Sequence, residues 1–110
     1  MDLKKVHIKE NSFLARIAAW KMKSKAVAMV LGSTIHLHNI SKEDFLKNTR
    51  LVKHELCHVQ QYKEHGFIGF LIKYLWGCMR YGYYNCPFEK EARAAEDQSN
   101  NPEKLIINNY

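Results

Sequence analysis

Residues 51–59 read Leu51-Val52-Lys53-His54-Glu55-Leu56-Cys57-His58-Val59. His54 and His58 are four residues apart, so on a helix both rings project from one side, about a turn from each other. Imidazole nitrogen is a good ligand for Zn²⁺, and a glutamate beside the first histidine can take a proton from zinc-bound water without being a ligand itself. The segment therefore predicts a zinc-binding helix on which Glu55 is the general base.

The sequence on either side of this helix predicts an α+β domain. The first predicted elements are a strand at 6–8 and a helix at 13–20, which follows an N-cap at Asn11-Ser12. A hairpin of 26–31 and 34–38 comes next, with Gly32-Ser33 in its turn. Three helices follow: one from Ser41 to about His65, in one or two pieces and ended by Gly66, one from Phe67 to about Arg80, and one from Phe88 to about Gln98. The helix at 67–80 is apolar on nearly all sides, which predicts that it is the buried core helix.

The size and composition indicate one ordinary globular domain. The chain has 110 residues, which suits a single domain spanning 1–110, and we expect its tail to be frayed from about residue 99. The net charge is +6, but the lysines are scattered, so a solvated basic surface is expected rather than a nucleic-acid interface. With three cysteines, no apolar signal segment and no apolar run long enough to cross a bilayer, the chain is expected to be cytoplasmic, without a membrane span.

The type of the third metal ligand decides the class of zinc site. A catalytic zinc usually has three protein ligands and one open position. A third histidine in the metzincin pattern would need glycine at position 61 and histidine at position 64, where this chain has Gln61 and Glu64. His65 is one place late, and we interpret it as a cap at the C-terminal end of the helix.

Residues 85–93 read Asn85-Cys86-Pro87-Phe88-Glu89-Lys90-Glu91-Ala92-Arg93. With this segment the chain resembles the gluzincins, in which the His-Glu-x-x-His helix is completed by a glutamate from a later helix, and most closely the small bacterial metallopeptidase-like proteins. The resemblance implies a zincin-like fold, a Zn²⁺ cofactor, and Glu89 as the third ligand beside His54 and His58. Glu91 is the alternative ligand.

One position departs from the pattern of those families. The acidic residue that normally follows four places after the ligand, and that supports a zinc-bound histidine, is Arg93 in this chain. This departure puts the orientation of that histidine in question. Glu96 or Asp97, on the same predicted helix, could take over the role.

Four further features carry weaker expectations. A tyrosine in the loop before the last helix, with Tyr84 preferred over Tyr81 and Tyr83, could donate a hydrogen bond to the oxyanion of a tetrahedral intermediate. The strand at 34–38 would by resemblance be the sheet edge that pairs with substrate, with exposed histidines at positions 36 and 38. Cys57 is expected to be a buried, inert thiol.

Taken together, the sequence predicts a mostly helical, minimal zincin-like domain with a small antiparallel-containing sheet. The predicted function is peptide hydrolysis by zinc-activated water, with Glu55 as base and Tyr84 at the oxyanion, acting on a peptide or protein substrate. The alternative is a zinc-binding interaction or regulatory module that has lost catalysis. A basic nucleic-acid-binding domain would need lysines on one face, which the sequence does not provide.

Overall fold

A computed structural model describes residues 6–97 of the chain. The elements are β1 His7–Lys9, α1 Phe13–Met22, β2 Val27–Leu31, β3 Thr34–His38, α2 Lys42–Lys47, α3 Thr49–His65, α4 Phe67–Tyr81 and α5 Pro87–Ala95. This arrangement confirms the prediction of a mostly helical α+β fold with a small sheet. The predicted frayed tail and the predicted helix end at Gln98 lie outside the described residues.

The sheet has three strands in the order β1-β3-β2. β2 and β3 form the predicted hairpin, and Gly32 in its turn has a φ of 64°, which favours glycine. β1 pairs in parallel with the other side of β3. The prediction that 34–38 is an edge strand is therefore wrong. A parallel strand covers that side of β3, so β3 is the central strand and β1 and β2 are the edge strands.

Alternation along β3 separates two packing layers. Ile35 and Leu37 are fully buried in the main core, against residues of α2, α3 and α4. His36 points the other way and is only 9% exposed, which corrects the expectation of an exposed histidine. The reason is that α1 covers this face of the sheet, and the N-cap hydroxyl of Ser12 lies 2.8 Å from His36 Nδ1. Burial, with the charge of Lys9, lowers the pKa of His36.

Capping residues fix where the metal helix begins and ends. The predicted helix from residue 41 to 65 forms in two pieces, with Ser41 accepting a hydrogen bond from the Asp44 amide at the start of α2. Asn48 then caps α3 by accepting from the Leu51 amide at 3.1 Å. At the other end Gly66 takes a φ of 79°, and α4 starts directly after it. Gly66 is therefore both the C-cap of α3 and the N-cap of α4.

The prediction that residues 67–80 form the buried core helix is wrong. Within α4 only Phe70 and Gly77 are buried. α4 packs against α3 and α5, and its other side is exposed, with Ile68 and Ile72 at 63% and Met79 at 85%. The uniform apolar character of α4 therefore exceeds what its contacts can bury. No helix within residues 6–97 combines the length and the apolar character needed to cross a membrane.

Candidate metal centre

One side of α3 carries the two motif histidines toward α5. The opposite side is anchored in the main core by Val52, Leu56 and Val59. The imidazole rings of His54 and His58 have centroids 5.1 Å apart and cross edge to face. Their side chains are 15% and 9% exposed, so both rings lie at the inner end of a cleft rather than on an open surface.

Glu89, in the first turn of α5, completes the cluster. Its Oε1 lies 3.2 Å from His54 Nε2, and its Oε2 lies 3.2 Å from His58 Nε2. One ligand atom from each of the three residues lies within 4.8 Å of the other two, so the three side chains could hold a metal ion. Glu91 is turned away and accepts a hydrogen bond from Gln61 Nε2 at 2.7 Å. Of the two glutamates, the structure places Glu89 in the cluster.

Glu96 supports His54. The carboxylate Oε2 of Glu96 lies 2.8 Å from His54 Nδ1, so this ring nitrogen donates and the opposite nitrogen points to Glu89. Arg50 in turn pairs with Glu96 at 3.2 Å and with Asp97 at 2.7 Å. Of the two predicted replacements for the missing family acid, Glu96 occupies the position.

Arg93 has a separate role. Its guanidinium lies 4.0 Å from the centroid of the Tyr84 ring, and it donates to the Tyr84 backbone carbonyl. Both contacts tie the loop between α4 and α5 to the second half of α5. Arg93 therefore contributes to loop structure and does not point into the cluster.

Gln61 supports His58, a role that was not predicted from the sequence. Gln61 is fully buried, with its amide oxygen 2.8 Å from His58 Nδ1. Its amide nitrogen donates to Glu91 at 2.7 Å and to the Phe88 carbonyl at 3.1 Å, so the orientation of the amide is fixed. The available signal was its position three residues after His58 on the same helix, which places the two side chains together.

The tyrosine that touches the cluster is on α4 and was also missed. Tyr74 donates a short hydrogen bond to Glu89 Oε2, and its ring packs against His58 with centroids 6.1 Å apart. Tyr83 lines the cleft, whereas Tyr84 is 70% exposed and stacked on Arg93. Tyr74 escaped notice because it lies within an apolar helix, where a tyrosine is expected to be a packing residue.

The acids and histidines of the cluster shift each other's pKa values. Burial lowers the pKa of His54, but the hydrogen bonds to Glu89 and Glu96 and the charge of Glu55 outweigh it and raise this pKa to about 9. Burial tends to raise the pKa of Glu89, but the two histidines hold it well below its ordinary value. Glu55 is 4% exposed, and burial raises its pKa to about 7 against the opposing effect of the histidines. A bound cation would displace the histidine protons.

A cleft of about 540 Å³ opens onto the cluster. Along one wall it is lined by the edge strand, where consecutive residues from Ala26 to Leu31 all contribute. The lining also includes Glu55, Tyr83 and the three members of the cluster, together with apolar residues of α1 and α4. The cluster therefore faces a groove that runs beside β2, an edge strand of the sheet that residues 6–97 form.

Of two expectations about nearby residues, the one for Cys57 needs adjustment. Cys57 is half-buried rather than buried, with its thiol 3.9 Å from Glu91 Oε1. Burial and the neighbouring carboxylates raise the pKa of Cys57 to about 12, which keeps the thiol protonated. His65 lies against the rings of Phe70 and Phe88, in the last turn of α3 as expected, and is not part of the cluster.

The fold and the cluster together define an α+β domain with a candidate His-His-Glu metal centre between two helices. The model of the eCIS core domain family (extracellular contractile injection system) matches residues 1–66, more than half of the chain, so the protein belongs to that family. No curated protein and no solved structure gives a significant match.

The family match ends where α3 ends. It includes the sheet and the motif histidines, but Glu89, Tyr74 and Glu96 all lie beyond residue 66. The half of the site contributed by α4 and α5 therefore rests on the geometry of this chain alone.

Proposed function

We propose that this domain is a zinc-dependent peptidase of the gluzincin type. The observation that carries the proposal is the convergence of His54, His58 and Glu89 beside a buried Glu55, at the wall of a cleft bordered by an edge strand. The ligand residues come from two helices, so the fold has to be formed before the cluster exists.

The three side chains fit Zn²⁺ by their chemistry. Two imidazole nitrogens and one carboxylate oxygen are a ligand set used by catalytic zinc, which binds such atoms at roughly 2.0–2.2 Å. Each Glu89 oxygen lies 3.2 Å from the Nε2 atom of one histidine, and one ligand atom from each residue lies within 4.8 Å of the other two. With small adjustments the three side chains can therefore bind one ion. Glu96 and Gln61 hold the two rings so that the Nε2 atoms face the ion.

Zinc in this position would supply Lewis-acid polarisation and a water of lowered pKa. Glu55 accepts the proton of the attacking water and later delivers it to the leaving amine. Its buried environment, which raises its pKa to about 7, suits a group that must do both near neutral pH. Tyr83, which lines the cleft, is better placed than Tyr84 to donate to an oxyanion.

The substrate that suits this cleft is an extended peptide. The outer edge of β2 can donate and accept backbone hydrogen bonds with a peptide lying in the groove, in the manner of strand addition. Apolar side chains, among them Met29, Leu71 and Leu75, line the same cleft. A protein chain, rather than a small metabolite, is therefore the substrate or partner that we propose.

The decisive experiment combines metal analysis with peptide cleavage. Purified protein should contain about one zinc per chain and should cleave members of a peptide library. Glu55→Gln should keep its zinc and lose cleavage by a factor on the order of 1,000 or more, because the base is gone while the ligands remain.

Glu64→Gln is the matched control, since Glu64 lies on the same helix but is exposed and outside the cluster. It should keep both zinc and cleavage. Zinc binding by the wild type without any cleavage would refute the peptidase proposal and favour a zinc-stabilised binding module. Absence of zinc would refute both.

A further inference from the structure

The outer face of α4 is an exposed apolar ridge formed by five large side chains. They are Ile68, Ile72, Leu75, Trp76 and Met79, with exposed fractions of 63%, 63%, 59%, 59% and 85%. Their spacing of four, three, one and three residues places them on one side of the helix. Isolated apolar residues are common on protein surfaces, but a continuous ridge of this kind marks an interaction surface.

α4 cannot turn this ridge inward. Its other side is fixed by Phe70 in the main core and by Tyr74 at Glu89. At Gly77 the helix approaches the loop so closely that an added Cβ would lie 3.2 Å from Cys86 Sγ. The exposed face is therefore a consequence of how the metal cluster is built.

Charge is distributed unevenly around this ridge. Neither α1 nor α4 contains an aspartate or a glutamate, and each carries two cations, Arg16 and Lys21 on α1 and Lys73 and Arg80 on α4. α1 also exposes Phe13 and Trp20, by 68% and 79%. Both helices contribute apolar residues to the lining of the cleft, whose acidic residues are Glu55 on α3, Glu89 on α5 and Glu96 at the end of α5.

We propose that the α4 ridge binds the surface of an anionic lipid bilayer. Apolar side chains that include tryptophan, flanked by lysine and arginine without acids, are the composition of helices that lie in a membrane interface. The Arg80 guanidinium lies 5.7 Å from the Trp76 ring centroid, which places charge and aromatic surface side by side. This proposal concerns peripheral binding, and it holds whether or not the domain cleaves peptides.

A bilayer suits this surface better than a second copy of the chain. A twofold contact through α4 would bring the cations of both copies together without an acid on either helix to pair with them. Met79 is the most exposed member of the ridge at 85%, and Leu75 lies where the ridge meets the cleft. A fluid interface of apolar tails below anionic headgroups accepts such a ridge as it is.

Vesicle sedimentation tests the proposal on the full chain. The probes are vesicles of phosphatidylcholine alone and vesicles containing about 30% phosphatidylglycerol, with tryptophan emission followed in parallel. We expect binding to the anionic vesicles, a blue shift of the tryptophan emission, and weaker binding as salt is added. The Glu55→Gln variant should bind as the wild type does, which separates this test from that of the peptidase proposal.

Paired variants identify the surface. Lys73→Gln with Arg80→Gln should weaken binding by about 30-fold, the effect expected for losing two basic side chains at an anionic surface. Lys63→Gln with Lys90→Gln removes the same charge from exposed positions on α3 and α5 and should change binding less than about threefold. Ile72→Ser with Met79→Ser should abolish the blue shift.

Three results would overturn the proposal. The first is no binding to anionic vesicles at low salt. The second is equal loss in the two charge pairs, which would mean that net charge alone drives binding. The third is a dimer that Ile72→Ser with Met79→Ser converts to a monomer, without vesicle binding by the wild type, which would assign the ridge to a second copy.

Discussion

The two histidines of the cluster lie one turn apart on α3, but they are supported in different ways. His54 donates to the carboxylate of Glu96, which is 22% exposed and pairs with Arg50 at the surface. His58 donates to the neutral amide of Gln61, which is fully buried and is held by Glu91 and by the Phe88 carbonyl. The group that supports His54 is charged and partly exposed to solvent, and the group that supports His58 is neutral and buried.

This difference follows from what each position in the fold allows. A carboxylate raises the basicity of its histidine, but burying the carboxylate without a cation is costly. Arg50, in the first turn of α3, supplies that cation. In the interior, an amide fixes the ring at lower electrostatic cost, provided that all its own hydrogen bonds are made. We therefore expect the Gln61 support to matter for both stability and zinc binding, and the Glu96 support mainly for zinc binding.

The largest effect on zinc affinity is expected at Glu89, which lies between the two histidines. Glu89 contacts both histidines, so Glu89→Gln should weaken zinc binding on both sides at once, by roughly 100- to 1,000-fold, the share of one ligand in a zinc site. Competition with a chromophoric chelator measures this affinity, and circular dichroism checks that the helices remain.

Glu91→Gln is the matched control because Glu91 was the alternative ligand from the sequence and lies two residues away on α5. It accepts from Gln61 rather than facing the ion, and a glutamine can still accept that hydrogen bond. It should bind zinc within about tenfold of the wild type. The opposite ranking of the two variants would assign the ligand to Glu91.

Gln61→Leu should have the next largest effect. The substitution leaves His58 Nδ1 without an acceptor and removes the amide donor from Glu91 and from the Phe88 carbonyl, all in or next to the buried layer. We expect a loss of about 2–3 kcal/mol in the free energy of unfolding, because buried polar groups lose their hydrogen-bond partners. We expect zinc affinity to fall by about 10- to 100-fold, because a group that orients a metal ligand is removed. Urea unfolding with and without chelator separates the two effects.

Gln60→Leu makes the same chemical change one residue earlier, at a half-buried position that faces away from His58. Its stability and zinc affinity should stay close to those of the wild type. If Gln61→Leu unfolds at the same urea concentration as Gln60→Leu, the interior amide is not a structural support, and the contrast between the two histidines loses its basis.

Local signals made much of this fold predictable. Two helices begin after a serine whose side chain accepts a backbone hydrogen bond, Ser12 for α1 and Ser41 for α2. α3 ends at Gly66, which has a positive φ. Each of these signals depends only on neighbouring residues. The spacing of His54 and His58 fixes their common side of the helix in the same way. The third ligand could be named only through resemblance, because its distance from the histidines depends on how α5 docks.

The predictions that failed depend on long-range packing. The sequence of β3 does not reveal that β1 pairs on its outer side, so the edge strand was misassigned and His36 was expected to be exposed. The apolar character of α4 suggested burial, but the available contacts cover only one of its sides. Gln61 and Tyr74 were missed because neither residue type indicates a metal site until the partner is in place.

The smallest effect is expected at the outer support, where Glu96→Gln gives His54 the same kind of neutral acceptor that His58 has. The amide oxygen can still accept from Nδ1, and Arg50 keeps its pairing with Asp97 at 2.7 Å, so the free energy of unfolding should change by less than about 1 kcal/mol. Only the electrostatic contribution is lost, and zinc affinity should fall by about tenfold or less.

Asp97→Asn is its control, since it also removes one negative charge that contacts Arg50 but does not touch a histidine. If both variants weaken zinc binding equally, the effect comes from the general negative charge at the end of α5. If Glu96→Gln alone weakens it, the carboxylate acts through His54. If Glu96→Gln lowers the zinc affinity as much as Gln61→Leu does, the outer support is as critical as the buried one. The charge of the acceptor, rather than its burial, would then determine how firmly each histidine holds the ion.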